Sequence, residues 1–452
     1  MQVHDLLTQY QTGEKTPEET VEQIYDRIKT DETNAWISVR EKDAVLADVD
    51  ALETPAENPL HGIPFAVKDN IDFAGLPTTA GCPAYAYEPY EDATVVSKLI
   101  EAGALLIGKT NMDQFATGLV GTRTPHGACR NVHNESYISG GSSSGSAVAV
   151  ARGHVAFSLG TDTAGSGRVP AAFNGLVGLK PSRGLLSTDG VVPACKSLDC
   201  VSVFTHTCKD ALLVEEIAAG YDSADPYSRP ELSLNTEGET SESLDVESVT
   251  VGVPNVASLE FFGDQEAENL YQDAIADVKA VFGEVVTVDF EVFTETADLL
   301  YGGPWVAERL AAVEQFVNEQ AEEIHPVVRE ILAGGKEYSA VETFNSFYKL
   351  EKLKKRCQEV FVANDIDILA TPTTGTVYTI SEIREKPIER NSNLGYYTDY
   401  VNLLDLSAIA IPTGNFADGP GFGLTLLGDT GEDHLVTTVG EKICAATGET
   451  SS

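Results

Sequence analysis

The sequence predicts an α/β protein built on one large mixed β-sheet covered by helices on both faces. Three observations predict it. From His61 to about Ala218, short apolar runs alternate with Gly-rich turns, the pattern of strands and helices in succession. Longer helical patterns follow, from about Phe293 to Gln320 and from Ala340 to Ala363. Short apolar strands then return in DILATPTT, SAIAIPTG and FGLTLLG, and they are expected to rejoin the sheet begun by the first.

Taken in order, residues 1–60 read as an N-terminal helical region. Thr16 can cap the amide of Glu19 while Pro17 takes the first helical position, which makes a capping box. Residues 61–230 carry IPFAVKDNI, TVVSKLIEAG, ALLIGKT, GSSSGSAVAVARG and HVAFSLGTD, and form the core in which the chemistry is expected. At 231–250 the composition turns polar and acidic, as a surface loop or link would. The strand VTVGVPN opens residues 251–452, a helical cap followed by the returning strands. The whole chain, 1–452, is read as a single domain without internal repeats.

Charge excludes one class of function. Seventy acidic against thirty basic residues give a net charge of −40 and a pI near 4.4, which rules out nonspecific nucleic-acid binding. The acids are spread over otherwise ordinary helices such as PEETVEQIYDRI, so they read as a solvated surface suited to high salt. At about 1 M salt the Debye length is about 3 Å, and the self-repulsion of such a surface is screened. No apolar run approaches the roughly 18 residues of a membrane span, and MQVHDLLTQY lacks the layout of a signal peptide, so a cytoplasmic protein without membrane contact is expected. Seven scattered cysteines without CxxC spacing argue against disulfides and zinc, and the eight histidines form no HExxH pair. No metal and no cofactor are expected. A homodimer is left open.

Two motifs match only by letter. Gly103 to Thr110 satisfies the phosphate-loop pattern GxxxxGK[ST], but its four intervening residues are a continuous apolar run that is itself a strand. Gly141 to Gly145 satisfies GxSxG, yet polar ESYISG stands where a nucleophile elbow needs a strand.

A different set of residues carries chemistry: Lys68 in GIPFAVKDN, the cluster Ser142-Ser143-Ser144 between glycines, and Ser166 in GTDTAGSGR. Acyl transfer needs a nucleophile, a proton acceptor and donors for an oxyanion. Small residues Thr163, Ala164 and Gly165 leave successive backbone N–H groups accessible for that last task. A lysine becomes a base only when burial lowers its pKa, and the apolar run before Lys68 favours burial.

At these residues the chain resembles the amidase signature family, with its lysine after an apolar strand, its GGSS loop and its GSDTGGS-type nucleophile loop. The resemblance implies a mixed sheet wrapped by helices. It also implies a Ser-Ser-Lys triad in which Ser166 is the nucleophile, Ser142 relays its proton and Lys68 is the base. Within the family, ISGGSSSGSAVAV, GTDTAGSGRVPAAFNGLVGLKPSRGLLS, GVVPACKSLDCVSVF, LLYGGPWVAERLAAV and NSNLGYYTDYVNLLDLSA are similar to the allophanate-hydrolysing branch. Ala164 and Gly167 depart from the glutamine-directed amidotransferase subunits, which usually carry glycine and a bulky residue there. The resemblance then implies allophanate as substrate, Tyr301 and Arg309 as contacts to its carboxylate, and a functional link to a separate biotin-dependent urea carboxylase. Tyr301 and Arg309 lie eight apart, about two helical turns if the segment is helical. A further C-terminal domain, carried by many allophanate hydrolases, is not expected in this sequence.

Overall fold

The computed structural model describes residues 1–52, 58–235 and 248–448. Most of the acidic stretch expected as a loop at 231–250 lies outside them, although a short helix, Pro230–Asn235, opens it.

Eleven strands form one mixed sheet. In chain order they are β1 (Trp36–Val39), β2 (Pro64–Lys68), β3 (Leu105–Thr110), β4 (Phe157–Asp162), β5 (Val177–Lys180), β6 (Cys200–Thr205), β7 (Val251–Pro254), β8 (Val286–Val288), β9 (Ile368–Pro372), β10 (Ser407–Asn415) and β11 (Gly421–Gly428). Their order across the sheet is β1-β3-β2-β4-β6-β5-β10-β11-β9-β7-β8. The centre of the first half is parallel, β3 to β2 to β4, and β6 then runs antiparallel to β4. The returning strands join as expected, β10 pairing β5 on one side and β11 on the other.

Strand β2 is buried at every position, which is why PFAVK is apolar without alternation. Successive side chains point to opposite faces. On one face Phe65 and Val67 join Phe157, Leu159 and Val203 beneath helices that supply Val96, Ala211, Val214, Ala274 and Val439. On the other, Ala66 and Ile107 meet Ala147 and Val150 of the helix Ser144–Ala151, and Leu369, Ala408 and Leu427 meet Phe293, Trp305, Leu353 and Tyr400. Helices therefore cover both faces.

The capping box forms as read, with Thr16 Oγ1 accepting from the Glu19 amide at 3.3 Å and Glu19 accepting from the Thr16 amide at 3.1 Å. Two readings change. The stretch 1–60 also supplies the edge strand β1, antiparallel to β3, because WISV is short and β-branched between two polar turns. The pattern over 293–320 is two helices, Glu291–Gly302 and Trp305–Gln320, because Gly303 and Pro304 interrupt it and Pro304 has no amide to continue the first. Tyr301 and Arg309 consequently sit on different helices.

Candidate active site

The carboxyl ends of parallel strands β2 and β4 and the start of antiparallel β6 meet at one place in the sheet, where α/β folds open their crevices. Lys68 ends β2, Asp162 ends β4 and Asp199 immediately precedes β6.

Lys68 is fully buried. Its Nζ donates to Ser142 Oγ at 2.8 Å and to Thr161 Oγ1 at 2.6 Å. Burial pulls its pKa down from 10.5 to about 7; the carboxylates of Asp199, Asp113 and Asp162 oppose the shift and the Arg309 charge adds to it. A lysine held this way is neutral in a large fraction of molecules near pH 7 and can accept a proton.

Ser142 follows a cis peptide bond from Gly141 and lies where the loop enters the helix Ser144–Ala151. Its carbonyl accepts from the Asp113 amide at 3.1 Å, and the buried Asp113 carboxylate in turn accepts the amides of Val120, Gly121 and Arg123. Next to it, Ser143 Oγ donates to the Thr161 carbonyl at 3.0 Å and its amide donates to the Ser166 carbonyl at 3.4 Å, tying the two serine loops together. Gly145 has to be glycine, since a Cβ there would overlap the Ala35 carbonyl.

Ser166 is 3% exposed, in the loop between β4 and the helix Arg168–Phe173. Asp162 organises that loop. Its carboxylate accepts the amides of Gly165 at 2.7 Å and Gly167 at 3.0 Å and a two-point contact from Arg168, Nε at 2.9 Å and Nη2 at 3.0 Å. Burial alone would push the Asp162 pKa up, but the Arg168 charge and these hydrogen bonds outweigh it and hold the carboxylate below its ordinary value. The Gly165 amide is therefore already committed to Asp162, which corrects the expectation that it faces an oxyanion. Among the described residues the amides of Thr163, Ala164 and Ser166 have no acceptor. Gly165 itself is needed at φ +117°, where a Cβ would overlap Thr398. Ala164 places its methyl in the apolar cluster with Cys195 and Leu198, and Gly167 lies so close to Ser202 that no larger residue fits.

Tyr301 and Arg309 come together across the break between their helices, the guanidinium 5.3 Å from the ring centroid. Arg309 is 2% exposed and reaches the Ala116 carbonyl at 3.4 Å and Thr117 Oγ1 at 3.5 Å, while its buried Nε has no hydrogen-bond partner among the described residues. Tyr301 also lines a cavity of about 290 Å³, together with Arg123, Val306, Tyr338 and Asn391.

Several contributors were missed in the sequence. Arg123 is a third buried guanidinium beside Arg168 and Arg309, donating to the carbonyls of Thr117 at 3.0 Å and Pro387 at 2.8 Å. Asp199 accepts from Thr163 Oγ1 at 2.5 Å and from the amides of Ala194 and Cys195, and burial raises its pKa to about 6. Asn402, within NSNLGYYTDYVNLLDLSA, donates to the Asp162 carbonyl at 2.7 Å. None of these has a local motif. Arg123 and Asn402 act through partners 264 and 240 residues away along the chain, and Asp199 through a turn that only the fold closes.

The discarded phosphate loop is indeed strand: Lys109 points into the core, 3.5 Å from Asp69. All seven cysteines are free and buried. No helix among the described residues is long and apolar enough to cross a membrane.

The profile of the amidase family matches residues 19–437. The chain belongs to the amidase family. Among its family relatives, the urea amidolyase of Saccharomyces cerevisiae is 43% identical over 409 residues, covering 89% of this chain and 22% of that protein. The chain thus spans about a fifth of the length of that relative. The structure of Kluyveromyces lactis allophanate hydrolase superposes with a TM-score of 0.91 at 40% identity, over 99% of this chain and 73% of the other. More distant within the family, a glutamyl-tRNA(Gln) amidotransferase chain of Streptococcus pneumoniae is 31% identical over 99% of this chain and 96% of its own length.

Proposed function

We propose that this chain is an amidohydrolase that cleaves allophanate with Ser166 as nucleophile, Ser142 as proton relay and Lys68 as base. The observation that carries the reading is the buried, pKa-depressed Lys68 hydrogen-bonded to Ser142 at 2.8 Å. Neutral Lys68 accepts a proton through Ser142 as Ser166 Oγ attacks the terminal amide carbonyl, and the amides of Thr163, Ala164 and Ser166 stabilise the oxyanion. The C–N bond breaks, the proton passes to the leaving nitrogen and ammonia departs, leaving an acyl-enzyme. Water then adds to the ester under the same base, the bond to Ser166 breaks, and N-carboxycarbamate leaves to lose carbon dioxide.

Support for the substrate comes from the Tyr301–Arg309 pair, a buried cation with an unpartnered Nε suited to a small carboxylate, and from the similarity to allophanate hydrolase. In this reading allophanate is supplied by a biotin-dependent urea carboxylase activity, in the cytoplasm of a cell rich in salt. The test is ammonia release from purified protein in about 2 M KCl, where surface charge is heavily screened. Allophanate is expected to be turned over in preference to glutamine, biuret and aliphatic amides. Arg309→Ala is expected to abolish that preference, and Ser166→Ala all turnover with the fold intact. Turnover of glutamine instead would retain the triad and assign the chain to the amidotransferase branch.

A further inference from the structure

Asp399 carries a carboxyl that the fold buries and leaves unsatisfied. The residue is 7% exposed, and its buried Oδ1 has no hydrogen-bond partner among the described residues. Burying a carboxyl without a partner costs stability, and such groups concentrate where a ligand or a reaction uses them. The backbone around it is fixed. Tyr397 and Tyr400 are fully buried, and the Asp399 amide donates to the Gly395 carbonyl at 2.9 Å. A Cβ on Gly395 would overlap the Asp399 carboxyl, so glycine at that position keeps room for it.

Its place is between the two parts of the site. On one side is the loop that bears Ser166: Arg168 Nη2 donates to the carbonyl of the neighbouring Thr398 at 3.3 Å, and the Thr398 side chain packs against Gly165. On the other is the pair Tyr301 and Arg309, both of which feel the Asp399 charge. Burial pushes the Asp399 carboxyl well above the ordinary carboxylate range, against the pull of Arg309 and Arg168. A protonated carboxyl adds no negative charge beside Arg309, and its carbonyl oxygen still accepts a hydrogen bond.

Allophanate attacked by Ser166 spans the same interval, with its carboxylate at Arg309 and its amide carbonyl at Ser166. The N–H that joins those two groups is a donor, and Arg309 and the loop amides, being donors themselves, cannot receive it. On the basis of that amidohydrolase reading, we propose that Asp399 is a third substrate contact, its buried oxygen accepting the hydrogen bond of the N–H between carboxylate and amide carbonyl. The contact selects a urea-type amide. A substrate of the same length with CH2 in that place leaves the Asp399 oxygen buried and unpaired in the complex, which costs binding.

The experiment compares kcat/KM for allophanate with that for malonamate, which keeps the carboxylate and the amide but has CH2 for the N–H. Where malonamate turnover is too slow to follow, its inhibition constant takes the place of kcat/KM. Asp399→Leu and Asp399→Ala remove the acceptor and are expected to lower the value for allophanate roughly 10- to 100-fold while moving that for malonamate less than about 3-fold. Asp399→Asn keeps an acceptor oxygen in the same position and is expected to stay within about 3-fold of wild type on both compounds. Leucine nearly preserves the volume, so it replaces the alanine variant if a cavity unfolds that one. The melting temperatures of the Leu and Asn variants are expected to be no lower than wild type, because Oδ1 has no partner to lose. Equal losses on both compounds, or an unchanged rate on allophanate in Asp399→Leu, would overturn the contact while leaving Ser166, Ser142 and Lys68 in their roles. A wild-type chain that does not hydrolyse allophanate would overturn the amidohydrolase reading and the contact with it.

Discussion

Lys68 is the residue on which stability and, in the proposed mechanism, reactivity turn. Its folded pKa of about 7 lies below the 10.5 of an exposed lysine, because burial disfavours the charged form. Between those two pH values the unfolded chain binds a proton that the folded chain does not, so this residue's contribution to stability rises with pH across that window and its full cost is present below it. Lys68→Met is therefore expected to stabilise the protein, by on the order of 5 kcal/mol below pH 7 less the loss of the Ser142 and Thr161 hydrogen bonds. The gain should shrink as pH approaches 10.5; melting curves at several pH values measure it, and a variant that melts lower at every pH would contradict it. In the proposed mechanism the rate has the same origin. With neutral lysine as the base, kcat/KM should rise as pH climbs through about 7 and level off above it, whereas a rate falling over that range would remove Lys68 from the role of base.

Among elements, the loop from Asp162 to Arg168 is the most constrained. Arg168→Met would leave the Asp162 carboxylate buried without its cation, a loss of about 3–5 kcal/mol in comparable pairs. Arg168→Lys is expected to recover little of it, because a lysine cannot reproduce the two-point contact; chemical denaturation of the three proteins gives the comparison. Gly165→Ala is expected to lower turnover roughly 100-fold with only a modest change in melting temperature, by displacing the loop rather than the core. A Gly165→Ala enzyme of near-normal rate would show that the loop tolerates the shift.

The same loop shows what a sequence can and cannot announce. GTDTAGS was legible because its small residues have no other use between a buried strand and a helix. The strands were legible because a sheet buried on both faces writes continuous apolar runs. Arg123, Asp199 and Asn402 were not, since a buried polar residue reads like a surface one until its distant partner is known. The single helix expected over 293–320 failed for a plainer reason: its apolar periodicity survives the Gly303-Pro304 break, and the break mattered more than the period.

At the scale of the whole molecule, charge dominates. Raising KCl from about 0.1 M to about 1 M shortens the Debye length from about 10 Å to about 3 Å and should raise the melting temperature steadily. A melting temperature that is flat or falling over that range would make the acidic surface irrelevant to stability.

The order of strands across the sheet has a consequence for how such an enzyme can change. Lys68, Ser142 and Ser166 come from chain that builds only the half of the sheet from β1 to β5, while Tyr301 and Arg309 lie on two helices that the chain forms between β8 and β9. In the proposed mechanism, reaction and selectivity therefore lie on separate stretches of the chain. On that reading, mutation can redraw the pair of helices around Gly303-Pro304, and with it the choice of amide, without touching the stretch proposed to break the C–N bond.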